Sequence, residues 1–340
     1  MGKRTWNHEE SRHAFMTEPK RTTRLAPSPT GPLHLGNARS LLLCWAIGRA
    51  RDWRVLLRME DLDGERCTLE SESMILEDLH WLGLDWDDEM IRQSDDVERH
   101  RRALQTASEA GTIFQCARSR KDLRETSEAL NAPHEGGPKA RSTYEMRPDH
   151  RTSYRFMPGE HNHRATIAPG PLIIEDEIVG RYECDPLDIF GDPIVWTRRD
   201  APSYQLAVVL DDAHHGVTDV IRGEDLLPSA ALQTRLAELF GVPSPRWWHV
   251  PLLRNHEGRR LAKRDEDETL SQMRARGIPK HNVIQHLSAS CGMNEPYPAT
   301  AREFAEQIDH ESIITWSKKL RLDGGDRLPE DFEDRLKEPP

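Results

Sequence analysis

The sequence has no hydrophobic run long enough to cross a membrane. The longest apolar run covers residues 41–47, whereas a membrane-spanning helix needs about 20 apolar residues. The N-terminal residues mix charges and have no apolar core, so they predict neither a secretion signal nor an anchor. We interpret residues 1–21 as a variable N-terminal extension and expect no association with a membrane.

Cysteine is scarce, and no disulfide framework is indicated. Five cysteines lie far apart in the 340 residues, and an odd, scattered set without a secretion signal is typical of reduced thiols in the cytoplasm. The net charge of −11 is unfavourable for nucleic-acid binding over the whole surface, but an RNA interface needs only a local basic face. The candidate basic face, with acidic residues interleaved, consists of Lys139, Arg141, Arg147, Arg151, Arg155 and Arg164.

The first part of the chain alternates predicted strands and helices. Apolar runs at residues 22–26 and 54–60 predict buried strands, and helical patterns follow after Gly36 and at residues 69–82. This alternation indicates an α/β fold with a Rossmann-type, doubly wound parallel sheet. Ligands of such a sheet bind at the carboxyl ends of its strands.

The middle of the chain breaks this alternation. Residues 111–185 are rich in Arg, His, Pro and Gly and predict an inserted α+β subdomain. Further strands are predicted at residues 194–196, 204–209 and 219–222, then a helix at 229–240 and a mostly helical unit after Lys263. The predicted division is an extension (1–21), the first half of the catalytic domain (22–110), the insertion (111–185), the second half (186–245) and a loop with a helical C-terminal unit (246–340).

The turn after the first predicted strand suits the binding of a phosphate. His34-Leu35-Gly36-Asn37 lies where a helix should begin, and free amides together with the helix dipole attract anions there. His34 can donate a hydrogen bond to a reacting α-phosphate, and Gly36 lets a nucleotide approach the backbone. Taken alone, the same pattern is also consistent with a structural histidine in a helix-capping loop.

Several motifs together resemble the glutamyl branch of the class I aminoacyl-tRNA synthetases. Residues 24–37 (RLAPSPTGPLHLGN) are similar to the opening of that family, with His34 to Asn37 in place of its HIGH signature. Residues 259–264 (RRLAKR) resemble its KMSKS loop. Similar stretches at 57–63 (LRMEDLD), 204–212 (YQLAVVLDD) and 220–227 (VIRGEDLL) follow in the family's order. The resemblance implies an ATP-dependent ligase that takes Mg²⁺ largely with the nucleotide.

The resemblance also implies roles for individual residues. His34 and Lys263 are expected to be catalytic and to bind ATP together with Gly36 and Asn37. Lys263 is expected to stabilise charge on the departing pyrophosphate. The expected glutamate-binding residues are Arg24, Leu25, Ala26, Pro27, Ser28, Glu60, Tyr204 and Arg222.

The chemistry of these side chains agrees with the implied roles. Glu60, at a strand end, can pair with the substrate ammonium, and Arg24 and Arg222 can hold a carboxylate through two parallel hydrogen bonds. Tyr204 offers a hydroxyl donor on a predicted apolar strand, and Ser28 a small polar contact. The alternatives are that Glu60 is merely solvated and that Arg222 forms an ordinary surface salt bridge.

The zinc ligands found in many compact relatives are incomplete in this sequence. Those proteins have a C-x-C pair followed by a tyrosine and, four residues later, a cysteine. Here Cys116 is followed by Arg118, and Tyr144 is followed by Pro148. One thiolate and one phenol do not close a tetrahedral site, so we predict no bound zinc. The histidines that would have to substitute are His134 and His150.

Two further positions affect the expected chemistry. Ala262 stands where the KMSKS loop commonly has a serine, so we expect slower activation rather than none. Asp211 and Asp212 could be a metal pair, but we interpret them as shaping a strand end. No metal-ligating residue is therefore predicted.

The segment after the KMSKS-like loop favours a compact member of the family. Residues 265–340 are too few for the connecting helical unit together with the large anticodon-binding region of a full glutamyl-tRNA synthetase. The sequence therefore resembles the glutamyl-queuosine tRNA(Asp) synthetases. The resemblance implies activation of L-glutamate without tRNA, transfer to queuosine in the anticodon of tRNA(Asp), and a monomer. The alternatives are a short glutamyl-tRNA synthetase that charges tRNA(Glu) and a glutamate ligase with a non-tRNA acceptor.

Overall fold

A parallel sheet lies at the centre of the computed structural model, which describes residues 20–116, 156–255, 258, 261, 269–322, 326–327, 336–338 and 340. The helices are α1 (Leu35–Ala50), α2 (Leu69–Leu82), α3 (Val97–Glu109), α4 (Pro186–Phe190), α5 (Tyr204–His214), α6 (Leu227–Phe240), α7 (Leu270–Ala275), α8 (Lys280–Ser290), α9 (Ala301–Gln307) and α10 (His310–Leu322). The strands are β1 (Thr22–Leu25), β2 (Arg54–Met59), β3 (Ile91–Arg92), β4 (Ile113–Cys116), β5 (Asn162–Ala165), β6 (Leu172–Asp176), β7 (Gly180–Cys184), β8 (Ile194–Thr197), β9 (Ala201–Pro202), β10 (Asp219–Gly223), β11 (Arg246–Val250), β12 (Leu253–Arg254) and β13 (Asp326–Arg327). Within these ranges no helix has the length and apolar character that crossing a membrane requires.

The strand order creates a switch point beside β1. On one side β1 pairs in parallel with β2 and then β3. On the other side lies β10, which continues in parallel to β11 and β6. The amide of Thr218, just before β10, donates to the carbonyl of Thr22 at 2.9 Å and joins the two halves. Because the connections run in opposite directions from this point, a crevice is expected at the carboxyl ends of β1, β2 and β10.

Helix α1 packs directly on β1 and β2 because one of its residues is glycine. A Cβ atom at Gly48 would lie 2.9 Å from Cγ2 of Val55 and 3.1 Å from Cγ2 of Thr23. The buried face of α1 includes Leu42 and Leu43, which are fully excluded from solvent. The close approach fixes α1 above the sheet, so its first residues lie at the carboxyl end of β1.

Most of the predicted elements are confirmed. The strands predicted at residues 22–26 and 54–60 are β1 and β2, and the helix at 69–82 is α2 with the same bounds. The strand at 219–222 is β10, the helix at 229–240 lies within α6, and residues 269–322 are mainly helical. The predicted class, a Rossmann-type α/β fold with a helical C-terminal unit, is confirmed.

The strand predicted at residues 204–209 is wrong, because this segment forms helix α5. The hydroxyl of Ser203 accepts a hydrogen bond from the amide of Leu206 and caps the helix start. Residues 206–212 are all buried, so the helix is shielded from solvent around most of its circumference, and its apolar run covers residues 206–210. A short apolar run without polar alternation does not distinguish a buried strand from a buried helix.

A second, antiparallel sheet has the order β4-β5-β8-β9. The segment predicted as a strand at residues 194–196 is therefore a strand, but it pairs with β5 in this sheet and does not resume the parallel one. Conversely, β6 and β7 lie within the predicted insertion and join the parallel sheet at β11. Strands before and after residue 185 therefore pair with each other, β5 with β8 in the antiparallel sheet and β6 with β11 in the parallel one. The five-part domain division, which has a boundary at residue 185, stays a prediction.

We expect the truncation Leu42→Ala to destabilise the protein by about 2–5 kcal/mol, because it removes buried methyl groups and leaves a cavity. The matched control is Leu69→Ala, since Leu69 is 80% exposed and should change stability by less than about 0.5 kcal/mol. Denaturant unfolding measures both. Similar midpoints for the two variants would contradict this account of the core.

Candidate active site

Three charged residues of the expected site lie at neighbouring strand ends. Arg24 is in β1, Glu60 directly follows β2, and Arg222 is in β10. The amide of Glu60 donates to the carbonyl of Pro27 at 3.0 Å, which ties the end of β2 to the turn after β1. All three side chains are buried, so the fold brings them together in the crevice at the switch point.

Asp212 organises the charges beneath this crevice. Its Oδ1 lies 2.6 Å from Nη1 of Arg58 and 3.2 Å from Nε of Arg24. Arg58 also donates through Nη2 to Oε1 of Glu60 at 3.0 Å. Burial alone would raise the pKa of Asp212, but Arg24 and Arg58 outweigh it and hold that pKa below its usual range. Asp212 is therefore ionised and compensates the two arginines.

Glu60 is buried and accepts a hydrogen bond from Arg58. Burial raises the pKa of its carboxyl group, while Arg58 and then Arg24 act in the opposite direction. The alternative that Glu60 is a solvated strand end is wrong, because only 8% of the residue is exposed. Its contact with Arg58 aims the carboxylate along the crevice wall, where a substrate ammonium would find a partner.

Arg24 retains binding capacity after its contact with Asp212. It uses only Nε for that contact, and among the residues the structure describes neither of its terminal nitrogens has a hydrogen-bond partner. Two adjacent N–H groups on a guanidinium match the two oxygens of a carboxylate. Arg24 therefore presents a site for one carboxylate.

Within the described ranges, Arg222 donates hydrogen bonds only to neutral acceptors. Its Nη1 donates to Oε1 of Gln233 at 2.8 Å, its Nε to Nε2 of His249 at 3.1 Å, and its Nη2 to the carbonyl of Leu226 at 3.1 Å. Its guanidinium also lies 4.7 Å from the ring centroid of Trp247. The alternative of an ordinary surface salt bridge is wrong, since Arg222 is 7% exposed. Burial lowers the pKa of this guanidinium, and the charge of Arg24 adds to this effect, whereas Tyr204, Asp212 and Asp225 act in the opposite direction.

Tyr204 lies at the first turn of α5 and faces the same crevice. It is 37% exposed, yet the surrounding walls remove water from the phenol and raise its pKa. The negative charge of Glu60 adds to this effect, and Arg222 and Arg24 oppose it. The phenol therefore stays protonated and can donate a hydrogen bond. It projects from a helix rather than from the predicted strand, and its binding of glutamate stays a prediction.

His34 caps the helix that points at the crevice. Its Nδ1 accepts the amide hydrogens of Gly36 at 3.1 Å and Asn37 at 3.3 Å, and the side chain of Asn37 accepts from the amide of His34. We assign the ring proton to Nε2, because Nδ1 is an acceptor in both contacts. Capping and donation thus use different nitrogens. A Cβ atom at Gly36 would lie 3.0 Å from the imidazole, so a side chain there would push the ring away from its present position.

One residue of the KMSKS-like motif and two residues that follow it contact the His34 turn. The amide of Leu270 donates to the carbonyl of Leu33 at 2.9 Å, and Thr269 forms an isolated β-bridge with His34. Within the motif, Leu261 is buried and lies beside Gly36. Lys263 and Ala262 lie outside the described residues, so their expected roles stay predictions.

The other residues expected to bind glutamate differ in their burial and in the use of their backbone atoms. Leu25 is fully buried in the core, so only its backbone faces the site. The carbonyl of Pro27 is used by Glu60, Ala26 is partly exposed, and Ser28 is exposed beside the turn. Binding by these residues stays a prediction.

The acidic pair on α5 does not form a metal site. Asp211 accepts hydrogen bonds from Gln93, Arg99 and His100, and Asp212 is taken by the two arginines. Both lie on a helix, so the interpretation that they shape a strand end is wrong. In the part of the chain that the structure describes, no three histidine, cysteine or acidic residues cluster as metal ligands do.

Residues discussed for zinc or RNA lie mostly outside the described ranges. Arg118, Tyr144, Pro148, His134 and His150 belong there, as do Lys139, Arg141, Arg147, Arg151 and Arg155. Cys116 is buried at the end of β4. Arg164 is also buried and donates to the carbonyl of Asp192, so its assignment to an exposed basic face is wrong.

Sequence reasoning did not single out several residues that shape the site. Arg58 was part of a recognised motif without a role, and Gln233 and His249 were not considered. A charged residue inside an apolar strand could have flagged Arg58, since such a charge needs a buried partner. For Gln233 and His249 no local signal exists, because their contact with Arg222 arises only in the folded chain.

Comparison with known proteins gives a consistent family. Residues 20–322 match the model of the class I tRNA synthetases (E and Q), catalytic domain. A glutamyl-Q tRNA(Asp) synthetase of Rhodobacter capsulatus is 39% identical over 284 residues, which is 77% of this chain and 97% of that protein. A glutamate–tRNA ligase of Synechococcus sp. is 38% identical over 322 residues, or 88% of this chain and 66% of that protein.

A solved structure shows the same fold. The crystal structure of glutamate–tRNA synthetase from Elizabethkingia anophelis superposes with a TM-score of 0.75 and 22% identity, covering 94% of this chain and 70% of that one. At this sequence identity, the structural similarity shows a shared fold and nothing about function.

We expect Asp212→Asn to cost about 3–5 kcal/mol, because it leaves Arg24 and Arg58 buried without their shared counter-ion. The control is Asp52→Asn, which removes an exposed pair with Lys20 and should cost less than about 1 kcal/mol. Since the folded-state pKa of Asp212 is lowered, its contribution is present above the unfolded pKa of about 3.9 and is lost as pH falls through the lower folded value. Denaturant unfolding at several pH values should therefore show the Asp212→Asn deficit shrinking in acid. A deficit as small as that of the control would contradict the arrangement.

Proposed function

This chain belongs to the catalytic-domain family of the class I tRNA synthetases for glutamate and glutamine, a family of ligases, and on that basis we propose that it activates L-glutamate with ATP and transfers it to queuosine in the anticodon of tRNA(Asp). Glutamate activation and ligation to tRNA follow from the family and its named relatives. The choice of queuosine as the acceptor goes beyond the family assignment and is proposed here.

The observation that carries the choice of glutamate is the pair of buried arginines. Arg24 has two terminal nitrogens available, and Arg222 has neutral protein partners, whereas Glu60 supplies one negative charge. An amino acid with two carboxylates and one ammonium is complementary to two cations and one anion. A neutral side chain would leave one buried guanidinium without a counter-charge, which is unfavourable.

In the proposed first step, a carboxylate oxygen of glutamate attacks the α-phosphorus of ATP. A bond forms between these atoms while the bond from the α-phosphorus to the bridging oxygen breaks, and pyrophosphate leaves. The Nε2–H of His34 donates to the α-phosphate as its charge increases, and the positive end of the α1 dipole lies beside this site. The amides of Gly36 and Asn37 are already used by Nδ1 of His34. Lys263 is proposed to stabilise the leaving pyrophosphate.

In the proposed second step, a hydroxyl of the queuosine cyclopentenediol attacks the carbonyl carbon of glutamyl-adenylate. An ester bond forms, AMP leaves, and the hydroxyl proton passes to a phosphate oxygen or to solvent. The name of the Rhodobacter capsulatus relative, matched over 97% of its length, supports this acceptor. The Synechococcus relative favours a second candidate, the charging of tRNA(Glu).

Further predictions accompany the proposal. Mg²⁺ is proposed to arrive with the nucleotide, and no step above depends on its position. No zinc, a monomeric state, a cytoplasmic location and the five-part domain division stay predictions.

We expect His34→Asn to reduce glutamate-dependent ATP–pyrophosphate exchange by roughly 100- to 1,000-fold, because it removes one donor to the transition state. Asparagine is a favourable N-cap, so the unfolding midpoint should change little. The control is His281→Asn, which alters an exposed histidine at the start of α8. Full exchange activity in His34→Asn would refute the donor role.

The acceptor is tested with radiolabelled glutamate, ATP and tRNA from queuosine-proficient and queuosine-deficient cells. We expect label only in tRNA(Asp) of the proficient pool. Label on tRNA(Glu) in both pools would instead establish the protein-synthesis activity. Exchange without labelled tRNA would indicate a non-tRNA acceptor, and absence of both would overturn glutamate activation.

A further inference from the structure

Among the described residues, the hydrogen-bond acceptors of Arg222 are all neutral, and the carboxylates of Asp212 and Asp225 act on its charge without accepting a hydrogen bond from it. The three protein atoms that receive its N–H groups are an amide oxygen, an imidazole nitrogen and a backbone carbonyl. Trp247 adds a π-face at 4.7 Å from the guanidinium carbon to the ring centroid, which favours a cation but carries no net charge. This contrasts with Arg58, whose two terminal nitrogens contact carboxylates.

Gln233 is held so that its oxygen faces the guanidinium. Its Nε2 donates to Oε1 of Gln205 at 2.8 Å, and Nε2 of Gln205 donates to the hydroxyl of Ser229 at 3.3 Å. Because an amide has distinct donor and acceptor ends, this chain fixes which end Gln233 presents to Arg222. Gln233 is 2% exposed, so water does not compete for the contact.

His249 is held by Asp176 in the tautomer that Arg222 requires. Nδ1 of His249 donates to Oδ2 of Asp176 at 2.6 Å, which leaves Nε2 as the acceptor for Arg222. Burial lowers the pKa of His249 to about 4 despite Asp176, so the ring is neutral at physiological pH. Asp176 also accepts the backbone amides of Ile178, Val179 and His249. Its charge is therefore stabilised locally and is separated from Arg222 by the imidazole.

We infer that Gln233 and His249 are positioning residues that determine substrate specificity, because they orient Arg222 while leaving its charge for the side-chain carboxylate of the substrate. A carboxylate gains a charge-assisted pair with this guanidinium, whereas a carboxamide leaves the cation buried without a counter-ion. By holding Arg222 in this way, Gln233 and His249 therefore favour glutamate over glutamine. This inference rests on the proposed function and adds which residues maintain the selection.

The sharpest test is Gln233→Glu, which changes shape little and places a carboxylate beside Arg222. We expect the ratio of kcat/KM for glutamate to that for glutamine, measured by ATP–pyrophosphate exchange, to fall by at least about tenfold. The loss should lie in the KM for glutamate, with the KM for ATP nearly unchanged. Gln233→Met removes the acceptor without adding charge and should weaken both amino acids similarly. Gln307→Glu, an exposed site on α9, controls for net charge.

A pair of variants tests His249 without adding charge. In His249→Gln the new amide oxygen can replace Nε2 as the acceptor for Arg222, whereas in His249→Asn the shorter amide can reach only Asp176. A positioning role predicts that His249→Gln retains a lower KM for glutamate than His249→Asn. Thermal unfolding of each variant separates loss of fold from loss of selection.

The outcomes separate this inference from the proposed function. If the wild type binds glutamate in calorimetry and supports exchange, an unchanged glutamate-to-glutamine ratio in Gln233→Glu would overturn the inference alone. Equal KM values in His249→Gln and His249→Asn would overturn the role of His249. A wild type that neither binds glutamate nor supports exchange would overturn the proposed function, and this inference with it.

Discussion

The carboxylate of Asp212 connects helix α5 to both central strands through two buried arginines. Its partners Arg58 and Arg24 lie 154 and 188 positions away in the sequence, so the interaction joins segments that are far apart in the chain. Removing one member would leave charges in a site that water does not reach, which costs far more than the loss of a surface pair. The positions of Arg24, Glu60 and Tyr204 all depend on this carboxylate.

The two kinds of buried arginine in the crevice have different consequences. Arg58 is fully compensated by Asp212 and Glu60 and therefore acts as a structural cation. Arg222 is oriented by neutral groups, and Arg24 retains free terminal nitrogens within the described chain. In the proposed function, an acidic ligand would supply the negative charge that pairs with these two arginines. Because Arg222 and the terminal nitrogens of Arg24 form no ion pair within the described residues, a count of ion pairs would not identify them as candidates for binding.

The phosphate side of the crevice is built on the same strand. β1 carries Arg24 and leads within ten residues to His34, the cap of α1. The hydrogen bond from Leu270 to Leu33 then attaches the start of α7 to this turn. Nucleotide and amino acid would therefore meet across one short segment whose ends are fixed by the sheet and by a helix cap. Such fixed geometry favours reaction between two bound substrates.

The sequence alone determined the family motifs, the strands β1, β2 and β10, and helix α2, because local periodicity and glycine or proline punctuation suffice for them. It also identified Arg24, Glu60, His34 and Arg222 as candidates through the resemblance. It could not distinguish helix from strand at Tyr204, since an apolar run buried on all sides looks the same in both. Only the tertiary structure decided that Asp212 compensates arginines and that Gln233 and His249 orient Arg222. Those roles depend on contacts between distant segments and on exclusion of water, neither of which leaves a local pattern.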